Sequence, residues 1–212
     1  MAFAMRKEEY QFTYGDYLQW NDSERWEIID GVAYNMSPAP TSYHQKISRE
    51  LTRQLSNFLL GKTCQVFPAP FDVVLPRTGE SAEESETVVQ PDIVVICDQK
   101  KITRRGCTGA PDMVIEILSP STAVKDMKVK KALYERVGVR EYWLVHPDEK
   151  WVSIFLRDEK GKLVQQDIYD AEDTPEVSIL PGLKIELALV FADIGDLDET
   201  NEKKVKVNGP PT

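Results

Sequence analysis

The sequence has few of the residues that build zinc sites or disulfide frameworks. It contains 3 cysteines and 2 histidines, and no two cysteines form a Cys-x-x-Cys pair. A structural zinc site uses about four such ligands at short spacing, so none is expected here. Cys64, Cys97 and Cys107 are odd in number and lie mostly in apolar, strand-like surroundings. This pattern predicts reduced, packed thiols, as in cytosolic proteins.

Long apolar runs and an excess of positive charge are also missing. The N-terminal stretch MAFAMRKEEYQF has no apolar core of a signal peptide, and no later run approaches the length of a membrane span. We therefore expect a soluble, cytoplasmic protein. The formal net charge of -9 argues against a broad surface for nucleic acid, which would be basic, but leaves room for a small local one.

Apolar and aromatic residues are plentiful enough for one folded domain. Hydrophobic residues make up 42% of the 212 residues, with 4 Trp and 8 Tyr, which is typical of globular chains. A chain of this length can bury a full core in a single domain. We place that domain at residues 1–198 and expect residues 199–212 to form a mobile tail.

The first third of the chain carries clear start and turn signals. Thr13 and Asp16 have the spacing of a capping box at the start of a short helix that runs through Trp20. The Asp-Gly pair at residues 30–31 predicts the turn of a hairpin within RWEIIDGVAYNM. A longer helix follows, with apolar residues at helical spacing, and it stops at Gly61.

The remaining chain alternates strand-like runs with one further helix. That helix is expected over residues 122–138, ended by Gly138. The runs that predict strands are CQVFPAPFDVVLP (with a break at Pro68 and Pro70), VVQPDIVVICD, PDMVIEILS, EYWLVH, WVSIFLRD and KLVQQDIYD. This order of elements predicts a single α/β domain with a mixed sheet.

The run PDMVIEILS places a carboxylate inside an apolar strand. Alternation puts Glu116 on one face with Asp112, and puts Met113, Ile115 and Ile117 on the other. An unpaired buried carboxylate costs on the order of several kcal/mol. Either Glu116 faces solvent, or the crossover helix covers it and a positive group lies opposite.

The helix over residues 122–138 offers such a group. Its inward stripe has spacings of 4, 3, 4 and 3 and consists of Ala123, Met127, Lys130, Tyr134 and Val137. Lys130 either extends its ammonium to solvent or meets Glu116. Asp126 stands four residues before Lys130 and can pair with it and orient it.

A second carboxylate belongs to the preceding strand. Asp92 directly follows Pro91, which belongs at a strand start because it cannot donate to the sheet. Asp92 and Glu116 can therefore meet at neighbouring strands. Two such carboxylates repel each other unless a divalent cation lies between them, and Mg²⁺ is commonly held by one or two carboxylates.

Taken together, these motifs resemble the Uma-type endonucleases of the PD-(D/E)XK restriction-endonuclease-like superfamily. The resemblance rests on PD at 91–92, PDMVIEILSPST, and D-x-x-x-K-x-x-x-Y at 126–134 continuing into GVREYWLVHP. It also includes WEIIDGVAYNMSPAP and LPGLKIEL, and spans about residues 20–193. It implies an αβββαβ core with an extra N-terminal hairpin and C-terminal strands. The implied core elements are a helix at 43–60, strands near 64–75, 90–97 and 112–118, a helix at 122–138 and a strand at 141–146.

The resemblance also implies an active site. Asp92 would take the place of the metal-binding aspartate and Glu116 that of the acidic residue in (D/E)XK, with Mg²⁺ or Mn²⁺ as the cofactor. The lysine position of that motif is occupied by Leu118. Lys130 is then the candidate for a migrated lysine, and both helical spacing and the family pattern point to it.

Four further residues have weaker claims to a role. Glu27 would bind a second metal or position the site, and His44 is either catalytic or a hydrogen-bonded core histidine. Asp112 would support the metal ligands from outside or bond backbone at the start of its strand. Asp126 would orient Lys130.

The implied function is a Mg²⁺-dependent endonuclease that hydrolyses DNA phosphodiester bonds. The basic loop QKKITRRG (99–106) would touch backbone phosphate, or it is an ordinary solvated charge run. One alternative, favoured by Leu118 and the charge of -9, is a binding or assembly module that has lost catalysis. Another is a metal-dependent hydrolase of small phosphate esters. The superfamily alone suggests a homodimer.

Overall fold

The computed structural model describes residues 4–5, 11–20, 24–36, 40–119, 125–192 and 194. Its helices are α1 (Tyr14–Tyr17), α2 (Ser42–Leu59), α3 (Lys131–Val137) and α4 (Leu187–Val190), with a 3-10 turn at Gln99–Lys101 and a π-helical segment at Lys125–Lys130. Its strands are β1 (Ala4–Met5), β2 (Trp26–Ile29), β3 (Val32–Asn35), β4 (Gln65–Pro68), β5 (Asp72–Val74), β6 (Val88–Val89), β7 (Ile93–Ile96), β8 (Gly106–Thr108), β9 (Met113–Ile117), β10 (Glu141–His146), β11 (Trp151–Arg157) and β12 (Leu163–Tyr169). The expected tail at 199–212 lies outside the described residues.

The strands form two mixed sheets. The first sheet has the order β1-β3-β2-β6-β5-β8 and the second the order β12-β11-β10-β9-β7-β4. In the second sheet only β9 and β10 pair in parallel, and in the first only β5 and β8 do. The elements α2, β4, β7, β9, α3 and β10 occur in the chain order of the predicted αβββαβ core, with strands of the first sheet inserted between them, and the predicted mixed α+β fold class is confirmed.

The second sheet is covered on both faces. Helix α2 packs one face together with the segment around residues 177–194, and that core includes Met113, Ile115 and Ile117. The first sheet and α3 cover the other face, where Val114 and Leu118 are buried. Residue 116 lies on this second face by alternation. Glu116 is therefore enclosed rather than solvated.

Local signals explain where several elements begin and end. Thr13 and Asp16 form the predicted capping box, although α1 ends at Tyr17 rather than at Trp20. The turn residues Asp30 and Gly31 have φ angles of 48° and 76°, as a two-residue hairpin turn with both central φ positive requires. In the described residues no helix is both long and apolar enough to cross a membrane.

One expectation about a strand and one about the cysteines need correction. The family resemblance implied a strand near 64–75, but the predicted break at Pro68 and Pro70 divides it and sends β4 to the second sheet and β5 to the first. The thiols of Cys64 and Cys97 are not reduced but form a disulfide with an S–S distance of 2.05 Å. The physical reason is register: β4 and β7 pair with Gln65 opposite Ile96, which places the two cysteines side by side. Cys107 is the buried free thiol.

The helix expected over 122–138 begins differently from its prediction. The described part opens with the π-helical segment, whose wider turn shifts side chains relative to an α-helical stripe. Met127, predicted to point inward, is 49% exposed, whereas Asp126 is 3% exposed. Ala123 lies outside the described residues. Lys130 and Tyr134 do face the core, at 2% and 0% exposure.

Candidate active site

The ammonium of Lys130 lies among buried carboxylates. Its Nζ is 2.8 Å from Glu27 Oε1, 2.9 Å from Glu116 Oε1 and 3.6 Å from Asp126 Oδ1. None of the four side chains is more than 4% exposed. A buried charge is tolerated only when it is paired, so these groups depend on one another for their ionised forms. We call Glu27, Glu116, Asp126 and Lys130 the lysine cluster.

Three separate elements deliver the lysine cluster. Glu116 stands in the middle of β9 and Glu27 in β2, a strand whose four residues are all buried. Lys130 is the last residue of the π-helical segment, and Asp126 precedes it by four residues, the spacing at which helical side chains meet. The sequence analysis anticipated two of these contacts. It placed Lys130 on the inward stripe of its helix, where it can meet Glu116, and noted Asp126 four residues before Lys130. The contact with Glu27 requires the first sheet to fold over the second.

A tyrosine completes the surroundings of Glu116. The hydroxyl of Tyr134 donates to Glu116 Oε1 at 2.6 Å, and Lys130 donates to the same oxygen. The neighbouring Tyr142 donates to the backbone carbonyl of Asp126 at 3.0 Å. The sequence analysis placed Tyr134 on the inward stripe of its helix but gave it no role in the site. The signal for Tyr134 was its place four residues after Lys130, one turn along the same helix face.

Burial and charge shift the titration of this cluster. Burial, opposed by Lys130 and reinforced by Asp126, Asp92 and Glu27, raises the pKa of Glu116 to about 8. Burial alone would lower the pKa of Lys130, but the carboxylates of Glu116 and Glu27 outweigh it and hold that pKa well above its usual value. Burial and the charge of Glu116 likewise raise the pKa of Tyr134. Lys130 is therefore a permanent cation beside a carboxyl group that ionises reluctantly.

Asp92 lies at the edge of the lysine cluster, at the start of β7. Its Oδ2 accepts from the backbone amide of Ile117 at 2.7 Å, directly after Glu116, and lies 3.1 Å from His44 Nε2. The side chains of Asp92 and His44 are 18% and 13% exposed. Asp92 is near enough to Glu116 for its charge to raise the pKa of that group. This carboxylate is thus the more open of the two candidate ligands.

His44 is neither an apolar core residue nor an isolated one. It sits in the first turn of α2, and its Nε2 is directed at Asp92. Its Nδ1 is buried without a hydrogen-bond partner among the described residues. The structure therefore places His44 as a neighbour of Asp92 rather than of Lys130.

Two further positions singled out by the sequence, Asp112 and Leu118, lie outside the lysine cluster. Asp112 lies four residues from Glu116, roughly 13 Å along an extended strand, and is not brought to the cluster. It accepts from the amide of Cys97 at 2.8 Å and from Arg140 Nη1 at 3.3 Å, so its alternative role at the start of the strand is the one found. Leu118, at the lysine position of the parent motif, is a core residue with 5% exposure.

Gln90 is a site neighbour that sequence reasoning missed. Its backbone amide donates to Glu27 Oε1 at 3.0 Å, and its side-chain oxygen accepts from Arg25 Nε and Nη2 at 2.9 and 2.7 Å. It stands directly before Pro91-Asp92. That position was the available signal, since a residue next to a strand-opening Pro-Asp is close to whatever the aspartate binds.

The carboxylates of the site could bind a divalent cation, although they do not form a complete set of ligands by themselves. Among the described residues no three His, Cys, Asp or Glu side chains are grouped to hold an ion. Mg²⁺, however, is commonly held by one or two carboxylates, with water and substrate phosphate completing the shell. Glu27, Glu116 and Asp126 surround one lysine, and the charge of Asp92 acts on Glu116, so acidic groups outnumber the cation and favour a further one. The residues therefore fit the metal that the family resemblance implies.

Comparisons with known proteins agree with this architecture. The sequence model of the Uma2 family, described as "Putative restriction endonuclease", matches residues 14–189. An uncharacterized protein, slr1290, of Synechocystis sp. is 26% identical over 179 residues, which is 83% of this chain and 89% of that protein.

Solved structures show the fold. A crystal structure from Anabaena variabilis, titled as a putative nuclease belonging to DUF820, superposes with a TM-score of 0.64 at 21% identity, covering 85% of this chain and 97% of that one. The type IIG restriction endonuclease BpuSI aligns with a TM-score of 0.41 at 15% identity, over 84% of this chain and 19% of that one, which is too weak to support a conclusion. The family match covers most of the chain and confirms the resemblance seen in the motifs, so the chain belongs to the Uma2 family of restriction-endonuclease-like proteins.

Proposed function

We propose that this protein is a Mg²⁺-dependent endonuclease that hydrolyses DNA phosphodiester bonds. The observation that supports this most is the buried contact of Lys130 with Glu116, 2.9 Å apart, beside the more open carboxylate of Asp92. The family supports a nuclease of the restriction-endonuclease-like kind. The metal, the DNA substrate and the roles of the residues are the parts that we add.

In this proposal Asp92 and Glu116 would hold the metal, which when bound would polarise the scissile phosphate and lower the pKa of a coordinated water. Asp92 is prepared for that task by the amide of Ile117, which orients its carboxylate. Glu116 is fixed by Lys130 and Tyr134, which both donate to Oε1. His44 contacts Asp92 and restricts its rotation.

Lys130 acts from a buried position. With 2% exposure it holds a positive charge close to the metal ligands without exposing it to bulk water. A fixed charge in a water-poor site stabilises developing negative charge more strongly than one in solvent. Lys130 therefore stabilises charge and orients Glu116, and Glu27 and Asp126 hold Lys130 in place.

Contacts to DNA are local in this proposal. The chain carries a net charge of -9, so a broad basic face is not expected. In the loop at 99–106, Lys101 is held internally by the carbonyl of Ala110 at 2.7 Å, while Arg104 and Arg105 are exposed. Arg105, whose charge acts on Asp72, is the proposed phosphate contact of the loop.

The proposal is tested by plasmid nicking with Mg²⁺ or Mn²⁺, using wild type, Asp92→Asn and Glu116→Gln. Both substitutions are expected to reduce cleavage by roughly 100-fold or more, because each removes a metal ligand. Glu141→Gln is the matched control, since it neutralises a buried carboxylate outside the lysine cluster. Calorimetric titration with Mn²⁺ should show uptake by wild type that Asp92→Asn loses.

The same experiments separate the alternatives. Failure of wild type to take up the metal would support a module that has lost catalysis. Turnover of a generic aryl phosphodiester without nicking of plasmid would support a hydrolase of small phosphate esters. Either result would overturn the proposed function.

A further inference from the structure

A cavity of about 420 Å³ opens between α1, the start of β2 and the loop that precedes β8. Its lining includes the aromatic rings of Tyr17, Trp20 and Trp26 and the three charged groups of Glu24, Asp72 and Arg105. Its size is in the usual range for small-ligand sites. None of the roles assigned to the lysine cluster uses these residues.

The aromatic side of the cavity is a fixed assembly. Trp20 makes edge contacts with Phe12, Tyr17 and Trp26 at centroid distances of 5.4, 5.7 and 5.6 Å. Such contacts between aromatic rings are favourable and directional. Trp20 is thereby held in one orientation while remaining partly exposed at the cavity. A ring fixed in this way presents a stacking surface at little entropic cost.

The charged side of the cavity offers complementary chemistry. Arg105 belongs to the basic loop and is exposed, so it can meet an anionic oxygen. Asp72 is held by Gln90 Nε2 at 2.9 Å and by the hydroxyl of Tyr14 at 3.3 Å, and its carboxylate can accept from an amino or imino group. A nucleotide carries both a stacking face with N–H donors and a phosphate.

Gln90 connects this cavity to the lysine cluster. Its side-chain Nε2 donates to Tyr17 and Asp72 at the cavity, while its backbone amide donates to Glu27. It stands two residues before Asp92, which is about 7 Å in extended backbone. The hydrogen bonds of Gln90 therefore tie two lining residues of the cavity to the segment that leads into Asp92.

We propose that the cavity binds one unstacked nucleotide of a single-stranded segment of the substrate, with its base on Trp20 and its phosphate toward Arg105. This inference rests on the proposed nuclease function and names its substrate class. A nucleotide in an intact duplex would first have to leave the stack, which costs free energy. The protein therefore prefers single-stranded or frayed DNA over a closed duplex.

The test is tryptophan fluorescence quenching in EDTA at one fixed salt concentration. The probes are a single-stranded DNA hexanucleotide, the corresponding blunt duplex, and deoxyadenosine monophosphate. Saturable quenching is expected with the single strand, and weaker binding with the duplex and the free mononucleotide. Trp20→Leu should weaken single-strand binding by roughly 5- to 100-fold, since it removes one stacking partner.

The basic loop supplies a matched pair of control variants. Arg104→Ala and Arg105→Ala remove the same charge from neighbouring exposed positions, but only Arg105 lines the cavity. Arg105→Ala should weaken single-strand binding by about fivefold, and Arg104→Ala should change it much less. This pair keeps the test decisive even if Trp20→Leu disturbs folding, which a thermal melt of that variant would reveal.

Equal losses in the two arginine variants, or no quenching by the single strand, would overturn the inference. Binding of the free mononucleotide or of the duplex as tightly as the single strand would also overturn it. Because the measurement uses no metal, its failure is separable from failure of the nuclease proposal. If cleavage depends on Asp92 but is unchanged in the Trp20 and Arg105 variants, only the proposed role of the cavity is overturned. If the cavity binds single-stranded DNA but the protein cleaves no DNA, only the proposed nuclease function is overturned.

Discussion

Two buried glutamates on neighbouring strands, Glu116 and Glu141, differ in what surrounds them. They lie on opposite faces of the second sheet, with Glu116 opposite Leu144 and Glu141 opposite Met113 in the pairing of β9 with β10. Both are nearly inaccessible, at 3% and 0% exposure, and burial is the largest cause of a raised pKa in each. Burial alone therefore does not distinguish them.

Their partners do distinguish them. Glu141 accepts from the indole of Trp143 at 2.7 Å and from the amide of Ile179 at 2.9 Å, so neutral donors satisfy it. Glu116 meets an ammonium and a phenol, with the charges of Asp92, Asp126 and Glu27 nearby. Glu141 fastens the segment near residue 179 to the sheet. A buried carboxylate indicates a functional site when its neighbours are charged, because only such a group changes state readily when a cation arrives.

The largest expected effect tests whether Lys130 compensates the cluster. Lys130→Met should lower the free energy of unfolding by about 3 to 5 kcal/mol, because it removes the counter-charge of the buried Glu27 carboxylate and a hydrogen-bond donor of Glu116. Urea denaturation at neutral pH measures the change. The loss should shrink at acidic pH, where carboxylates are protonated. A decrease in the free energy of unfolding of less than about 1 kcal/mol would contradict the view that charged neighbours distinguish the surroundings of Glu116 from those of Glu141.

The next effect concerns pH. The pKa of Glu116 rises from 4.5 to about 8 on folding. At a pH between these two values the folded state therefore keeps a proton on Glu116 that the unfolded state has released. Wild type without divalent ions should therefore lose stability relative to Glu116→Gln as pH rises from 5 to 8, by on the order of 3 kcal/mol, and then level off. Denaturant midpoints of both proteins across this range measure it. Parallel curves would contradict the shift.

A smaller effect is expected at Glu141. Glu141→Gln should lower the free energy of unfolding by about 1 to 2 kcal/mol, because the amide group can no longer accept all the hydrogen bonds of the carboxylate. Metal uptake and cleavage should remain at wild-type levels. A loss of Mn²⁺ uptake in this variant, measured by calorimetry, would mean that both glutamates belong to one functional unit.

The smallest effect compares a buried ion pair with an exposed one between the same regions. Arg136 of α3 donates to both carboxylate oxygens of Asp30 in the hairpin turn, at 2.7 and 3.1 Å, with side chains 57% and 45% exposed. Arg136→Gln should cost no more than about 1 kcal/mol, since solvent screens the pair. Repeating the denaturation at high salt should reduce the difference further. A loss as large as that of Lys130→Met would remove the distinction between these pairs.

Much of the candidate site follows from short-range patterns. Strand alternation separated Glu116 from the face of Met113 and Ile115, and helical spacing put Lys130 on the inward stripe. The structure then covers that face and brings the two side chains together. These patterns succeed because both residues sit inside regular elements whose geometry repeats. The same spacing was wrong for Met127, because a π-helical turn precedes α3 and shifts the inward position to Asp126.

Other parts of the site depend on contacts between distant segments. Glu27 reaches Lys130 only because the first sheet packs over the second, and the residues are 103 positions apart. The disulfide of Cys64 with Cys97 depends on the register of β4 against β7, which no local pattern reveals. The Trp20 cavity likewise requires α1, β2 and the loop before β8 to meet.

By itself the sequence determined the succession of helices and strands, the family, and the identity of the carboxylates and the lysine that can form a site, since these follow from periodicity, caps and motif spacing. The tertiary structure alone decided which carboxylates share the ammonium of Lys130, which glutamate is held by neutral donors, and where an aromatic cavity adjoins the site. The reason is physical: side-chain charges at low dielectric act over a few ångströms in space, whatever their separation along the chain.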